Sequence, residues 1–173
     1  MIIWLVGLSG SGKSAIGSAL YRQKKKDNPA TVIIDGDEIR RIFGHDRSAK
    51  NYSVEGRRLN AARIRELCAW LDRQGIDVIC CILSIFPEHL EGNRTLFSDY
   101  LYVYITAPFD DLVERNPKYL YRLAMDGKEQ NVFGLDNELE PPINPDMVIE
   151  NKRPYKDPTL IAQSICECLQ QKV

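Results

Sequence analysis

The segment 7–14 reads Gly-Leu-Ser-Gly-Ser-Gly-Lys-Ser, which matches the pattern G-x-x-x-x-G-K-S/T at every fixed position. The apolar run 2–6 precedes it and predicts a buried strand, and the stretch 14–26 that follows predicts a helix. Glycines let backbone N–H groups turn inward around phosphate oxygens, and the helix directs its positive N-terminal end at the same anion. This order of strand, loop and helix therefore predicts a fold built around a triphosphate site.

The last two residues of this phosphate loop carry its predicted chemistry. Lys13 is expected to reach the β- and γ-phosphates of a nucleoside triphosphate, and the Ser14 hydroxyl is expected to ligate Mg²⁺. A glycine-rich turn without a ligand is the alternative, and the strand-loop-helix context disfavours it. The residues predicted to bind the nucleotide are Gly7, Leu8, Ser9, Gly10, Ser11, Gly12, Lys13 and Ser14.

The composition limits the classes of protein and of partner. The chain has 173 residues, 44% of them hydrophobic and 27% charged, which indicates one soluble domain. Its net charge of −1 gives no general attraction to nucleic acid or to a membrane. The five cysteines form no C-x-x-C pair, so we expect reduced core thiols in a cytoplasmic protein, without a zinc site. We also expect neither a signal peptide nor a membrane span.

Short apolar runs alternate with helical patterns along the chain. The runs are nearly continuous in apolar residues, which is typical of parallel strands covered on both faces. The pattern predicts an α/β fold, namely a single P-loop NTPase domain (1–173) with a five-stranded parallel sheet, helices on both faces and a lid. The predicted strands are 2–6, 31–34, 76–83, 101–106 and 147–149, and the predicted helices are 14–26, 53–74 and two that begin near 108 and 157.

The segment 116–145 is long for a plain connection between two strands. It mixes basic residues with glycines, among them Lys118, Arg122 and Gly134, and it ends in prolines. This composition favours a mobile lid over phosphates, and the alternative is a surface excursion without that role. We call 116–145 the lid segment.

Polar residues follow two predicted strands at the edge where ligands bind in open α/β sheets. Asp35 and Asp37 end the second strand, and such carboxylates hold Mg²⁺-bound water or accept a proton from an attacking hydroxyl. Arg40, one helical turn after Asp37, offers a forked contact to an anionic substrate. The alternative is a helix cap followed by a surface arginine. Ser84 ends the third strand.

A second polar set recurs at a spacing of three on the predicted helix 53–74. Arg57, Asn60 and Arg63 therefore line one side of that helix. Two guanidiniums and an amide suit the recognition of a phosphate together with a sugar or a base edge. A solvated polar face, paired with Glu55 and Glu66, fits the pattern equally well.

Taken in order, these motifs resemble the adenylylsulfate kinase family over nearly the whole chain. The motifs are the phosphate loop, Asp35-Gly36-Asp37-x-x-Arg40, Arg57-x-x-Asn60-x-x-Arg63, Asn116-Pro117-Lys118-x-Leu120-Tyr121, Gly134-Leu135-Asp136 and Glu140-Pro141-Pro142-x-Asn144-Pro145. The resemblance implies a homodimeric enzyme that uses ATP and Mg²⁺ to phosphorylate the 3′-hydroxyl of adenylylsulfate.

The resemblance also implies roles for particular residues. Asp37 and Arg40 are expected to contact the substrate nucleotide, with Asp35 or Asp37 near the attacking hydroxyl. Arg57 and Asn60 are expected to grip its phosphate and base. Further expected substrate contacts are Leu83, Ser84 and the lid residues Lys118 and Tyr121. The expected catalytic residues are Lys13, Asp35, Asp37 and Lys118. Arg115 and Arg153 are assigned to the ATP site.

Two departures from the family pattern concern the acceptor. The family holds adenine between two aromatic rings, whereas here Tyr52 matches one ring, Val132 stands in place of the other and Phe133 is expected to point elsewhere. Loss of one stacking ring costs on the order of 1 kcal/mol. The usual Ser-Pro after the third strand is replaced by Ser84-Ile85. A related branch acts on cytidine diphosphoramidate in bacterial capsule modification, so the leading hypothesis is adenylylsulfate and its closest rival is a pyrimidine nucleotide.

Two other classes of function are less well supported. GTP-dependent switches resemble one another in an N-K-x-D motif that reads the base. Here the segment 151–154 has Pro154 where the aspartate is required. A nucleotide-binding module without catalysis is disfavoured because Lys13, Ser14, Asp35 and Asp37 are all present.

Overall fold

A computed structural model describes residues 1–45, 49–83, 86–115, 120–128, 132–135 and 142–171. One sheet of parallel strands runs through the molecule in the order β2-β3-β1-β4-β5. The strands are β1 (Ile2–Val6), β2 (Thr31–Asp35), β3 (Asp77–Ile82), β4 (Tyr100–Thr106) and β5 (Met147–Glu150). The predicted α/β fold with a five-stranded parallel sheet is confirmed, and because all strands are parallel, their carboxyl ends meet at one edge.

Helices connect the strands in the described part of the chain. They are α1 (Lys13–Asp27), α2 (Gly36–Ile42), α3 (Val54–Arg73), α4 (Pro87–Leu96), α5 (Phe109–Arg115), α6 (Leu120–Met125) and α7 (Pro158–Gln171), with a 3₁₀ turn at Ala49–Tyr52. The sequence predicted α1, α3, α5 and α7 and did not delimit α2, α4 or α6. None of the helices in these ranges is long and apolar enough to cross a membrane.

Both faces of the sheet are buried, as the continuous apolar strands predict. Side chains alternate along β1, so that Trp4 packs with α3 and α4 residues on one face while Leu5 packs with α1 and α7 residues on the other. Ile64 of α3 and Leu20 of α1 are both fully buried in these two layers. The packing fixes α1, and therefore the phosphate loop that begins it, against the sheet.

A third, smaller cluster lies beside the phosphate loop. Leu112 of α5, Tyr121 of α6 and Val132 pack together, and Leu8 of the phosphate loop and Phe109 pack against them. The described part of the lid segment is therefore attached to the phosphate loop by apolar contacts. That the lid segment moves stays a prediction.

Candidate active site

The phosphate loop joins β1 to α1 in a conformation that requires glycine. Gly10 and Gly12 have φ angles of 80° and 101°, which side-chain-bearing residues rarely adopt. A Cβ on Gly7 would lie 2.3 Å from the carbonyl oxygen of Ile105, so β4 leaves no room for one. The loop thus passes close to the sheet and delivers its backbone to the N-terminal end of α1, where an anion is stabilised.

Lys13 lies inside this loop. Its Nζ donates a hydrogen bond to the carbonyl oxygen of Leu8 at 2.7 Å. Burial lowers the pKa of Lys13 to about 8, and the nearby carboxylates of Asp35 and Asp37 oppose that shift only in part. An anion stabilises a buried ammonium group, so Lys13 is placed to pair with a phosphate.

This lowered pKa predicts a pH dependence of ATP use. As the pH rises through about 8, Lys13 of the free enzyme loses its proton, so kcat/KM for ATP should fall above that pH. The bound triphosphate stabilises the ammonium, so kcat should hold to a higher pH than kcat/KM. Steady-state kinetics across pH test this. A kcat/KM that stays flat to about pH 10, near the ordinary pKa of lysine, contradicts it, and Lys13→Arg should remove the fall because arginine stays charged.

Ser14 and Asp35 are in direct contact. The Ser14 Oγ donates to Asp35 Oδ2 at 2.6 Å, while Asp35 Oδ1 accepts from the backbone N–H of Asp37 at 2.9 Å and so caps α2. The second strand therefore ends in a carboxylate whose two oxygens serve the phosphate loop and the helix cap. Asp35 therefore lies beside the phosphate loop, and a hydroxyl beside a carboxylate is a donor set that suits Mg²⁺. That these two residues serve a triphosphate site stays a prediction.

A cleft of about 540 Å³ opens beside this pair. Asp37 is exposed on its surface, and the Tyr52 ring forms part of its wall. The residues that line the cleft are Ser14, Ser18, Ile33, Asp35, Asp37, Glu38, Arg41 and Tyr52. The structure thus brings Ser14 and Asp35 of the predicted phosphate side and Asp37 and Tyr52 of the predicted acceptor side to one cavity.

The predicted residues Arg40 and Arg57 both contact Tyr52. Arg40 is 6% exposed, donates to the carbonyl oxygen of Asn51 at 2.7 Å and places its Cζ 4.7 Å from the Tyr52 ring centroid. Arg57 donates through Nε to the carbonyl oxygen of Tyr52 at 2.9 Å. Asn60 is 3% exposed, and its Oδ1 has no hydrogen-bond partner in the described ranges. Arg40, Tyr52 and Arg57 are therefore brought together, whereas Asn60 donates through Nδ2 to the carbonyl oxygen of Gly36 at 3.4 Å.

The third member of the predicted polar row is directed elsewhere. Arg63 Nη1 lies 2.8 Å from Nδ1 of His45, and its Cζ lies 5.5 Å from the centroid of Phe43. Leu83 directly follows β3 and is half-buried. Ser84 and Lys118 lie outside the described residues, so their predicted roles stay predictions.

The structure corrects the expected orientation of Val132 and Phe133. Val132 is 2% exposed and packs with Leu112 and Tyr121, so it offers no face to a base. The Phe133 ring, predicted to point elsewhere, lies with its centroid 5.2 Å from Cζ of Arg57. Neighbours along extended backbone point to opposite sides, and because the small cluster takes Val132, Phe133 is turned towards Arg57.

Tyr121 also differs from its predicted place at the substrate. It is 1% exposed, and its hydroxyl donates to the carbonyl oxygen of Ser9 at 2.8 Å. Burial raises the pKa of Tyr121 to about 12, so the hydroxyl stays a donor at neutral pH. The side chain therefore supports the phosphate loop through Ser9 and does not line the cleft.

Of the two arginines assigned to ATP, only Arg115 contacts the phosphate loop. Its Nη1 donates to the carbonyl oxygens of Gly10 and Ser11 at 3.3 and 3.4 Å, and its Cζ lies 3.7 Å from the Tyr155 ring centroid. Arg153 is committed to the carboxylates of α5 instead, because its Nε donates to Asp111 at 2.9 Å and its Nη2 pairs with Glu114 at 2.8 Å. This pairing holds the pKa of Asp111 below its usual range, against the opposing effect of burial.

Sequence reasoning missed Asn151. This residue is 8% exposed, its Nδ2 donates to the carbonyl oxygen of Ser11 at 2.8 Å, and its own carbonyl accepts from Arg115 Nη2 at 2.9 Å. Asn151 directly follows β5. The rule that ligand-site residues follow the strands of a parallel sheet could therefore have identified it from the sequence.

A parallel sheet, a phosphate loop with Lys13 and Ser14, and a carboxylate at the end of a nearby strand define a P-loop NTPase domain. Residues 1–150 match the family described as adenylylsulphate kinase. The chain belongs to that family.

Individual relatives differ in the acceptor that their names give. The chain is 38% identical over 150 residues to the cytidine diphosphoramidate kinase of Campylobacter jejuni, a match that covers 87% of this chain and 85% of that protein. It is 35% identical over 171 residues to the adenylyl-sulfate kinase of Pseudomonas aeruginosa, covering 98% and 85%. The APS kinase of Mycobacterium tuberculosis, solved in complex with AMPPNP and APS, has a TM-score of 0.84 at 28% identity over 98% of this chain and 96% of that one. The protein is thus a kinase of the adenylylsulfate kinase type, and its relatives include enzymes for both acceptors.

Proposed function

We propose that this kinase transfers the γ-phosphoryl group of ATP to the 3′-hydroxyl of a nucleotide acceptor, with adenylylsulfate as the first candidate. The observation that carries the proposal is the hydrogen bond between Ser14 and Asp35, two residues that line the same cleft as Asp37. The bond joins the phosphate loop to the end of β2, and Asp37 and Tyr52 of the predicted acceptor side line the same cleft. The product from adenylylsulfate is 3′-phosphoadenylylsulfate.

The protein's part in this reaction is to position the reactants and to neutralise charge. The transition state of phosphoryl transfer carries charge on the oxygens of the transferred group, and Lys13 supplies a cation inside the loop that holds them. Ser14 and Asp35 are the residues that would hold Mg²⁺. A bound Mg²⁺ neutralises phosphate charge.

The two aspartates have separable roles. Both oxygens of Asp35 accept hydrogen bonds, from Ser14 and from the backbone of α2, so this carboxylate organises the metal side. Asp37, the second residue of α2, is exposed and lines the cleft, so it is the group placed to accept the proton of the attacking hydroxyl. We assign the general base to Asp37.

The donor base is expected beside Arg115, which contacts the phosphate loop at Gly10 and Ser11. Arg115 is held by carbonyl oxygens of the loop and by Asn151, and Tyr155 is 44% exposed beside it. A planar guanidinium and an exposed ring suit adenine stacking. We also infer a homodimer by family resemblance and, from the cysteine usage, a cytoplasmic location.

Cytidine diphosphoramidate is a second candidate acceptor, and a specific observation favours it. Val132, which stands in place of the family's second ring, is buried in the cluster with Tyr121. It therefore supplies no aromatic face on which the acceptor base could stack. A pocket with one exposed ring loses less with a small base than with a large one, because the smaller base has less surface to stack. The relative from C. jejuni supports the same acceptor.

Turnover with each acceptor tests the proposal. The protein is incubated with ATP and Mg²⁺, adenylylsulfate and cytidine diphosphoramidate are supplied separately, and ADP release is followed. We expect adenylylsulfate to react with kcat/KM above about 10⁴ M⁻¹s⁻¹, an ordinary enzyme value. Strong turnover of the cytidine compound alone replaces the first candidate by the second. Turnover of neither contradicts both acceptors.

A further inference from the structure

Two buried side chains from outside the phosphate loop hold its carbonyl oxygens. Tyr121 of α6 donates its hydroxyl to the Ser9 carbonyl oxygen at 2.8 Å. Asn151, which follows β5, donates its Nδ2 to the Ser11 carbonyl oxygen, also at 2.8 Å. The two donors are 1% and 8% exposed, and a buried hydrogen bond is costly to leave unmade. Each bond therefore fixes the direction in which one carbonyl of the loop points.

The direction of a carbonyl also sets the direction of the amide that follows it. A trans peptide unit is planar, so its C=O and N–H point to opposite sides of the chain. The Gly10 N–H therefore points away from Tyr121, and the Gly12 N–H points away from Asn151. Among the residues that the structure describes, neither N–H donates to a protein acceptor. Both amides are left to bind phosphate oxygens, as backbone N–H groups turned to one side of a loop do.

Asn151 is itself held rigidly against the loop. A Cβ on Gly12 would lie only 2.5 Å from Asn151 Nδ2, so the amide packs directly on the glycine. The backbone N–H of Asn151 donates to the Thr106 carbonyl oxygen at 2.8 Å, and its carbonyl oxygen accepts from Arg115 Nη2 at 2.9 Å. Asn151 is therefore fixed by β4 and α5 on one side, and it fixes Ser11 on the other.

We propose that Asn151 and Tyr121 are positioning residues for phosphoryl transfer, which hold the loop from outside so that the Gly12 and Gly10 N–H groups stay directed at the phosphates. The inference rests on the proposed function, because it requires a triphosphate donor. Donors that are already oriented stabilise developing charge without having to reorganise. Loss of either outer bond frees one peptide unit of the loop to rotate, so the phosphates lose part of a contact that neither side chain makes itself.

The test compares Asn151→Ala and Tyr121→Phe with a matched control. Tyr121→Phe keeps the ring in its apolar cluster and removes only the hydroxyl. Tyr100→Phe also removes a buried hydroxyl, one that accepts from Asn93 Nδ2 at 3.2 Å, but Tyr100 begins β4 at the end of the sheet away from the loop. Calorimetry measures the affinity for ADP and for inorganic tripolyphosphate, which has no base. We expect each loop variant to weaken both ligands about fivefold, as loss of one hydrogen bond does, and Tyr100→Phe to weaken neither.

Steady-state kinetics separate positioning of the phosphates from a general loss of stability. Both loop variants should raise the KM for ATP about fivefold and leave the acceptor KM unchanged. Unaltered tripolyphosphate affinity in both variants overturns the proposal, as does an equal loss in Tyr100→Phe. Weaker ADP with unaltered tripolyphosphate places the effect on the base and also overturns it. If Asn151→Ala melts well below the wild type, Tyr121→Phe decides. If the wild type turns over neither acceptor, the proposed function fails, while the tripolyphosphate affinities still decide the positioning.

Discussion

Replacing Lys13 by methionine is expected to lower kcat at least about a hundredfold to a thousandfold, the usual effect of removing a group that stabilises transition-state charge. Methionine keeps the length and volume of the side chain, but it brings no cation to the loop in which Lys13 Nζ meets the Leu8 carbonyl. Charge on the transferred phosphoryl oxygens is then left without this partner. Single-turnover ADP formation at saturating ATP measures the loss.

Lys26→Met is the matched control, because Lys26 is exposed at the far end of α1. It should retain wild-type kcat.

Stability gives an independent readout. The folded-state pKa of Lys13 lies below its unfolded value, so burial of the charged form costs free energy at neutral pH. Lys13→Met should therefore melt no lower than the wild type at pH 7. A well-folded Lys13→Met with kcat within tenfold of wild type contradicts the assigned role.

The sheet was predictable from the sequence because each strand is a short, nearly continuous apolar run. All the pairs in the sheet are parallel, and β1 pairs with both β3 and β4, as a doubly wound fold requires. The missed helices lack such a signal. Helix α2 has seven residues and begins at Gly36, and α4 carries Gly92 within its ten residues, so neither shows the periodicity of a longer helix.

The candidate site was predictable where backbone rules decide and uncertain where side-chain packing decides. The phosphate loop pattern and the strand-end rule brought Lys13, Ser14 and Asp35 together without reference to tertiary contacts. The directions of Tyr121 and Val132 depend on the small cluster beside the phosphate loop, which joins separate segments of the chain. The engagement of Arg153 with Asp111 likewise depends on where α5 packs, which no local pattern encodes.

Asp37→Asn is expected to lower kcat by about 10²–10⁴-fold, the range that general-base catalysis contributes. Asparagine has the same shape and cannot accept the proton of the attacking hydroxyl, whereas the backbone N–H that caps α2 through Asp35 is retained. The KM for ATP should stay within about twofold, because the substitution removes a contact made to the acceptor hydroxyl and not one that binds ATP. Rapid-quench measurement of ADP formation checks this, with Asp27→Asn, an exposed carboxylate at the far end of α1, as the variant that should match wild type.

Asp35→Asn provides the contrast. It should raise the concentration of Mg²⁺ needed for half-maximal rate, because Asp35 is the carboxylate bonded to Ser14. If Asp37→Asn instead shifts the Mg²⁺ requirement and Asp35→Asn abolishes the chemical step at saturating Mg²⁺, the two roles are reversed.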